Sequence, residues 1–303
     1  MKILLLGSNG QLGWEIARAS KAWGIDCLGM GSRQLDVADQ VAVAKRIRGR
    51  RYSLVINAAG YTSVDKAELE RDIAFAVNSR GPGYLAAVCA QQGIPLIHIS
   101  TDYVFDGFKN SPYVETDLIS PISAYGESKA AGEKEVRDNL KTHIILRTSW
   151  LYSAHGNNFV KSIIRLAGER ERLQVVSDQY GCPTYAADLA AAILRIVDQI
   201  HRGGPVHWGT YHFCGQGVTN WHTFAQTICE MAKKYIALRV NYIEQISTGE
   251  YSACAKRPHY SALNCSKIEE VFDIRTTPWR DSLAEMISSM FSPLEPLRKD
   301  EAQ

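Results

Sequence analysis

Residues 2–15 read Lys2-Ile3-Leu4-Leu5-Leu6-Gly7-Ser8-Asn9-Gly10-Gln11-Leu12-Gly13-Trp14-Glu15, and they decide the fold. Four apolar residues, too few for a helix, end at a glycine. Two more glycines follow at intervals of three, and a helix is expected to open at Trp14 and Glu15. Small residues after a buried strand permit a tight turn, close backbone approach and a helix N-terminus that presents free N–H groups to a pyrophosphate. The spacing is G-x-x-G-x-x-G, and its place directly behind the first strand points to a dinucleotide site.

Working outward, short apolar runs recur at Cys27–Met30, Leu54–Ile56, Leu96–Ile99 and Ile144–Leu146, separated by segments of helical period. Strands apolar on both faces with helices between them predict an α/β fold, a doubly wound parallel sheet of Rossmann type, with ligands at the carboxyl ends of its strands. Residues 1–150 are assigned to this NAD(P)-binding domain. Residues 172–215, with apolar runs at Leu173–Val176 and Tyr211–Phe213 and a helix near 186–200, are expected to return to it. Residues 151–171 and 216–303 form a smaller C-terminal substrate-binding lobe, with a frayed polar end at Arg298–Gln303.

Composition excludes several classes. The chain has 303 residues, 46% hydrophobic and 22% charged, with 34 Lys+Arg against 32 Asp+Glu. The balance and the lack of a basic run argue against nucleic acid as a partner. Seven scattered cysteines, none spaced C-x-x-C, read as reduced thiols, and the histidines show no metal-ligand spacing. No metal ligands are assigned to the catalytic site. No apolar run approaches the roughly 18 residues of a membrane span, and no cleavage region precedes the first strand, so a cytoplasmic protein with no membrane partner is expected.

The second strand ends Leu28-Gly29-Met30-Gly31-Ser32-Arg33, without the acid that commonly meets a free ribose 2′-hydroxyl. Ser32 and Arg33 suit a 2′-phosphate instead. NADPH is therefore favoured, with NADH use left open. Further on, Tyr125 and Lys129 stand at i and i+4 of a helical segment, one turn apart on one face. Reducing a ketone takes hydride on carbon and a proton on oxygen, and a phenol with an adjacent ammonium suits the second task. Thr101, at the end of the strand Leu96–Ile99, is placed to hydrogen-bond the carbonyl.

Taken in order, the glycine turn, Asn57-Ala58-Ala59-Gly60, Ser100-Thr101-Asp102-Tyr103-Val104-Phe105 and Tyr125–Lys129 resemble the extended short-chain dehydrogenases. A narrower set resembles the dTDP-4-dehydrorhamnose reductase family: Val64-Asp65-Lys66-Ala67-Glu68, Leu146-Arg147-Thr148-Ser149-Trp150, Asn157-Asn158-Phe159, Asp178-Gln179-Tyr180-Gly181-Cys182-Pro183-Thr184 and Arg257-Pro258. The resemblance covers nearly the whole length. It implies NAD(P)H-dependent reduction of the C4 keto group of a nucleotide-sugar substrate, dTDP-4-dehydro-L-rhamnose, completing a deoxysugar donor for surface polysaccharide.

On this resemblance Tyr125 is the proton donor, Lys129 lowers its pKa and holds the nicotinamide ribose, and Thr101 orients the keto oxygen. Gly7, Gly10, Gln11 and Leu12 meet the pyrophosphate, Asp36 and Val37 the adenine, and Gly60, Tyr61 and Thr62 the nucleotide further along. Asp102, Trp150 and Arg257 touch the sugar nucleotide, Trp150 with a flat apolar face and Arg257 with a fork for the diphosphate. A homodimer with magnesium at its interface is also implied, at Glu15 and Asp188. Rival readings are a dehydratase, for which Tyr103 stands where a second acid is needed, an epimerase, or a non-catalytic regulatory subunit like that of methionine adenosyltransferase. Replacing Arg33 by alanine is expected to erode the preference for NADPH over NADH, read as the ratio of kcat/KM for the two; an unchanged ratio would remove Arg33 from the phosphate site.

Overall fold

The computed structural model describes residues 1–291, so the polar end Arg298–Gln303 lies outside the described residues. Six parallel strands, β1 (Lys2–Leu6), β2 (Asp26–Met30), β3 (Leu54–Asn57), β4 (Leu96–Thr101), β5 (His143–Thr148) and β6 (Gly209–His212), form one sheet in the order β6-β5-β4-β3-β1-β2. The order reverses between β1 and β3, which opens a crevice at their carboxyl ends. Five helices matter to the site: α1 (Gln11–Ser20), α2 (Gln40–Ile47), α3 (Gly81–Gln92), α4 (Ala124–Asn139) and α5 (Ala186–Arg202).

Alternation along β1 shows why the strand reads as continuous apolar sequence. Ile3 and Leu5 pack with Ile16 of α1 and Leu189 and Ile193 of α5. Leu4 and Leu6 face the other way, onto Val43 and Ile47 of α2, Leu85 of α3 and Val136 of α4. The four side chains Ile3 to Leu6 are buried, each stabilising the fold by about 1.5–3 kcal/mol.

A second core holds the lobe. Val160 and Ile163, Phe224 and Ile228, and Leu283 and Met286 meet there from helices Phe159–Glu169, Trp221–Ala232 and Trp279–Phe291. Within 172–215, α5 covers the main sheet and β6 extends it, but Arg172–Val176 does not join it. That strand pairs in parallel with Tyr242–Ile246 as a separate two-stranded sheet. Its exposure alternates, with Arg172 and Gln174 out and Leu173 and Val175 in, the signature of a strand covered on one face. All seven cysteines are free.

Close approach fixes the two turns that matter. Helix α1 starts at Gln11, three residues before the sequence expectation, with Gly10 as N-cap and no side chain capping it. Gly7 adopts φ +79°, and a Cβ at Gly13 would stand 2.1 Å from the Gly7 carbonyl oxygen. Ser123 caps α4 by accepting from the Gly126 N–H at 3.2 Å. A Cβ at Gly132 would lie 2.0 Å from the carbonyl oxygen of Asn78, in the π-helical turn Ala76–Arg80. Backbone cannot step aside as a flexible side chain can. Gly132→Ala is therefore expected to destabilise the protein by about 1–3 kcal/mol, read as a lower urea midpoint; an unshifted midpoint would show that α4 has room to move.

Candidate active site

A cleft of about 610 Å³ lies at the carboxyl ends of the strands, lined by Gly10, Gln11, Leu12, Gly60, Thr62, Thr101, Asp102, Tyr125, Lys129, Trp150 and Arg257. A hollow of about 280 Å³, lined by Gly7, Ser32, Asp36, Val37 and Tyr61, shares Gly10, Ala58, Ala59 and Gly60 with it. The two are ends of one groove across the glycine turn. Every catalytic, cofactor and substrate residue named from the sequence lines it except Arg33, which stands exposed next to Ser32, while Glu15 and Asp188 lie outside it.

Strand β4 and helix α4 bring the reactive groups together. The Thr101 hydroxyl donates to Asp102 Oδ1 at 3.0 Å and stands within hydrogen-bond reach of the Tyr125 phenol. Lys129 Nζ donates to the Ile99 carbonyl at 2.6 Å. Burial pushes Tyr125 up to about 12 against the Thr101 contact, and pulls Lys129 down to about 8 while Glu133 draws it back. In the protein alone the phenol thus moves opposite to the expected lowering by Lys129. The ammonium is turned to a backbone carbonyl, and desolvation decides the shift.

Asp102 is buried, which raises its pKa to about 7. Its Oδ2 and Arg257 Nη1 have no hydrogen-bond partner, although both are shut off from solvent. Such atoms are costly unless a ligand meets them. Arg257 gives Nη2 to Asp65 Oδ2 at 2.7 Å, and the Tyr103 phenol stands beside its guanidinium.

Trp150, expected to offer a flat apolar face to the sugar, lines the cleft together with a second indole. Its indole stacks on Trp221 with centroids 3.5 Å apart and planes within 8°, and a Cβ at Gly181 would approach it to 2.6 Å. A ring hemmed in by Trp221 and Gly181 meets the cleft as a wall shared with Trp221, since both line it.

The groove suits a dinucleotide. Helix α1 begins at its edge uncapped by any side chain, so Gln11 and Leu12 bring backbone donors and the positive end of the helix to a diphosphate. At the position implied for magnesium both carboxylates are engaged within the chain. Glu15 Oε2 accepts from Arg18 at 2.8 Å and Oε1 from Ser153 at 2.8 Å, while Asp188 accepts from Ser282. No cluster of three His, Cys, Asp or Glu side chains fit for a metal occurs among the described residues.

Two contributors, Asn78 and Trp221, were not singled out from the sequence, and a third, Tyr103, was named there only as standing where a second acid would be. Asn78 accepts from the Tyr61 N–H at 2.8 Å and donates to the Tyr61 carbonyl at 3.0 Å and to Ser128 Oγ at 3.0 Å, tying the loop after β3 to α4. Trp221 walls the cleft, and Tyr103 meets Tyr125 edge to face at 5.6 Å. Asn78 and Trp221 carry no local signal: an asparagine in a helix and an isolated tryptophan read as ordinary surface or core.

The chain matches the family described as RmlD substrate binding domain over residues 1–292. It is 41% identical over 284 residues to the dTDP-4-dehydrorhamnose reductase of Aggregatibacter actinomycetemcomitans, covering 93% of this chain and 97% of that one. This chain belongs to the dTDP-4-dehydrorhamnose reductase family. Two dTDP-4-dehydrorhamnose reductase crystal structures share its fold: that from Clostridium acetobutylicum, with TM-score 0.89 and 37% identity over 96% of this chain and 99% of that one, and that from Bacillus anthracis in complex with NADP, with TM-score 0.87 and 36% identity over 95% and 99%.

For a member of this reductase family the Nη1 arm of Arg257 has a clear test. Arg257→Ala removes a charge-assisted donor, worth about 1.5–3 kcal/mol, so affinity for a nucleoside diphosphate is expected to fall roughly 10- to 100-fold by calorimetric titration with dTDP. Unchanged affinity would show that Arg257 serves only Asp65.

Proposed function

We infer that this chain reduces the C4 keto group of dTDP-4-dehydro-L-rhamnose to give dTDP-L-rhamnose, with NADPH as the preferred reductant. The observation that carries this reading is the convergence of Thr101, Tyr125 and Lys129 with the glycine turn and two unsatisfied polar atoms, Asp102 Oδ2 and Arg257 Nη1, in one cleft.

When bound, the reduced nicotinamide supplies hydride to the carbonyl carbon. The chain's own residues handle everything else. Thr101 and Tyr125 offer their hydroxyls to the keto oxygen, and Tyr125 gives up its proton as that oxygen gains charge. A phenol near 12 is entirely protonated at neutral pH, yet it is a stronger acid than the alcohol it creates, which ionises about as weakly as water. The phenolate left behind is stabilised by the Lys129 ammonium one turn along α4. Gln11 and Leu12 hold the cofactor diphosphate, and Arg257 the diphosphate of the sugar nucleotide.

Ser32 lines the adenosine end of the groove with Arg33 beside it, which favours a 2′-phosphate. The catalytic groups Thr101, Tyr125 and Lys129 all come from one chain. A dehydratase is disfavoured because Tyr103 packs its ring on Tyr125 where elimination needs a carboxylate. A purely regulatory role would leave the Thr101, Tyr125 and Lys129 set without a use.

The test follows absorbance of the reduced nicotinamide with dTDP-4-dehydro-L-rhamnose. Wild type is expected to consume NADPH in step with product, and Tyr125→Phe to lose about 10²- to 10⁴-fold in kcat. No consumption by wild type with either nicotinamide would overturn the reading, and a fully active Tyr125→Phe would remove the proton donor.

A further inference from the structure

Beneath the cleft floor lies a charged cluster that reaches the cleft through Ser100, while its charged members Glu133, Arg137 and Arg147 line neither hollow of the groove. Glu133, one turn beyond Lys129 on α4, is fully buried. It accepts four hydrogen bonds: from Ser100 Oγ of β4 at 2.6 Å, from Arg147 Nε and Nη2 of β5 at 2.8 and 2.7 Å, and from Arg137 Nη1 at 3.0 Å. Arg147 is itself buried, and its Nη1 lies 3.3 Å from His212 Nε2 of β6.

A buried ion pair is weak evidence for stability, because desolvation offsets much of the attraction. What this one specifies is register. Ser100 and Arg147 are directly paired across β4 and β5, and each is followed by a cleft residue, Thr101 and Thr148. One carboxylate thereby fixes α4 against the two strand ends that carry the reaction. We propose that Glu133 is a positioning residue for proton transfer, which sets α4 against β4 and β5 and places a negative charge one helical turn from Lys129.

The charged and titratable groups around Lys129 make Glu133 the one that acts on its charge. Tyr125 shares its helix face, and Asp102 stands across the cleft. His98 on β4 is buried and held neutral by desolvation and by Lys129 itself, with His143 beside it. His212 behind Arg147 is pulled down to about 3 by burial and is neutral. Arg137 and Arg147 bear on Glu133, whose own carboxyl they hold below the usual range against the opposing effect of burial. Only Glu133 raises the proton affinity of Lys129 against burial.

The inference rests on the reductase reading, and one experiment separates the two. The pH dependence of kcat/KM for NADPH-driven reduction is measured for wild type, Glu133→Gln and Glu133→Asp. Activity needs the Lys129 ammonium, so it falls as pH rises through the Lys129 pKa. Without the neighbouring negative charge that alkaline limb is expected about 1 pH unit lower, which leaves Glu133→Gln roughly tenfold less active than wild type above the limb. Glu133→Asp keeps the charge but shortens the grip, so its limb stays in place while kcat falls.

Asp102 also titrates near 7, where the lowered limb is expected, so each profile is repeated in an Asp102→Asn background that leaves Lys129 to set the limb. Should Glu133→Gln not fold, the double change Glu133→Leu with Arg147→Met removes the pair together, a replacement that buried pairs often tolerate, and its limb is also expected to drop. An unmoved limb in a folded, active variant overturns the proposal, as does failure of both variants to fold, which would make the cluster a folding element alone. A wild type that oxidises no NADPH defeats the reductase reading first.

Discussion

Helix α4 lies against its neighbours at backbone distance, and the rest of the site depends on that approach. A Cβ at Gly126 would stand 2.2 Å from the Tyr103 carbonyl oxygen, and one at Gly132 2.0 Å from that of Asn78. The two glycines sit on either side of Lys129 and let the helix settle onto the end of β4 and the π-helical turn together. Tyr125 then reaches Thr101, and Lys129 reaches the Ile99 carbonyl. Asn78, held between Tyr61 and Ser128, carries the same constraint to the loop after β3, so the cofactor groove and the proton-transfer groups share one frame.

Burial sets the charge state of what that frame assembles. Tyr125 is driven up, Lys129 down and Asp102 up, each toward its neutral form, as desolvation requires. For a proton donor that direction is useful, because a phenol kept protonated across the working range is always ready. For Lys129 it is a hazard, which Glu133 counters from behind. Asp102 and Arg257 keep polar atoms unsatisfied in the cleft, a cost that a polar ligand with donors and anionic oxygens would remove.

Much of this was legible because buried parallel strands have only one sequence pattern. β1 to β5 appear as short apolar runs, and the glycine turn is visible because its spacing answers to backbone contact. Arg172–Val176 misled because its apolar run resembles a central strand, although the Arg172 and Gln174 alternation was the sign of a one-sided strand. The Tyr125, Lys129 and Thr101 set follows from motif order, whereas the direction of the Tyr125 shift depends on how fully the cleft walls desolvate it. Glu133 and Asn78 were silent because their partners come from other strands and turns. Arg147 stood inside a quoted motif, but nothing adjacent to it announced a buried carboxylate.

Trp150 shows the same limit from the side of geometry. Its φ of 46° places a bulky side chain in the left-handed region, a conformation that costs roughly 1–3 kcal/mol and persists only where surroundings enforce it. Those surroundings are Gly181, whose missing Cβ leaves the space, and Trp221, whose ring lies parallel to the indole. The strained residue lies two positions beyond the end of β5 at Thr148, so the chain turns at the cleft rim and commits an indole to joining the sheet domain to the lobe. A sugar in this cleft therefore meets a paired aromatic wall anchored in both halves of the protein. Its fit depends on how closely the lobe segments carrying Gly181 and Trp221 are held to the end of β5.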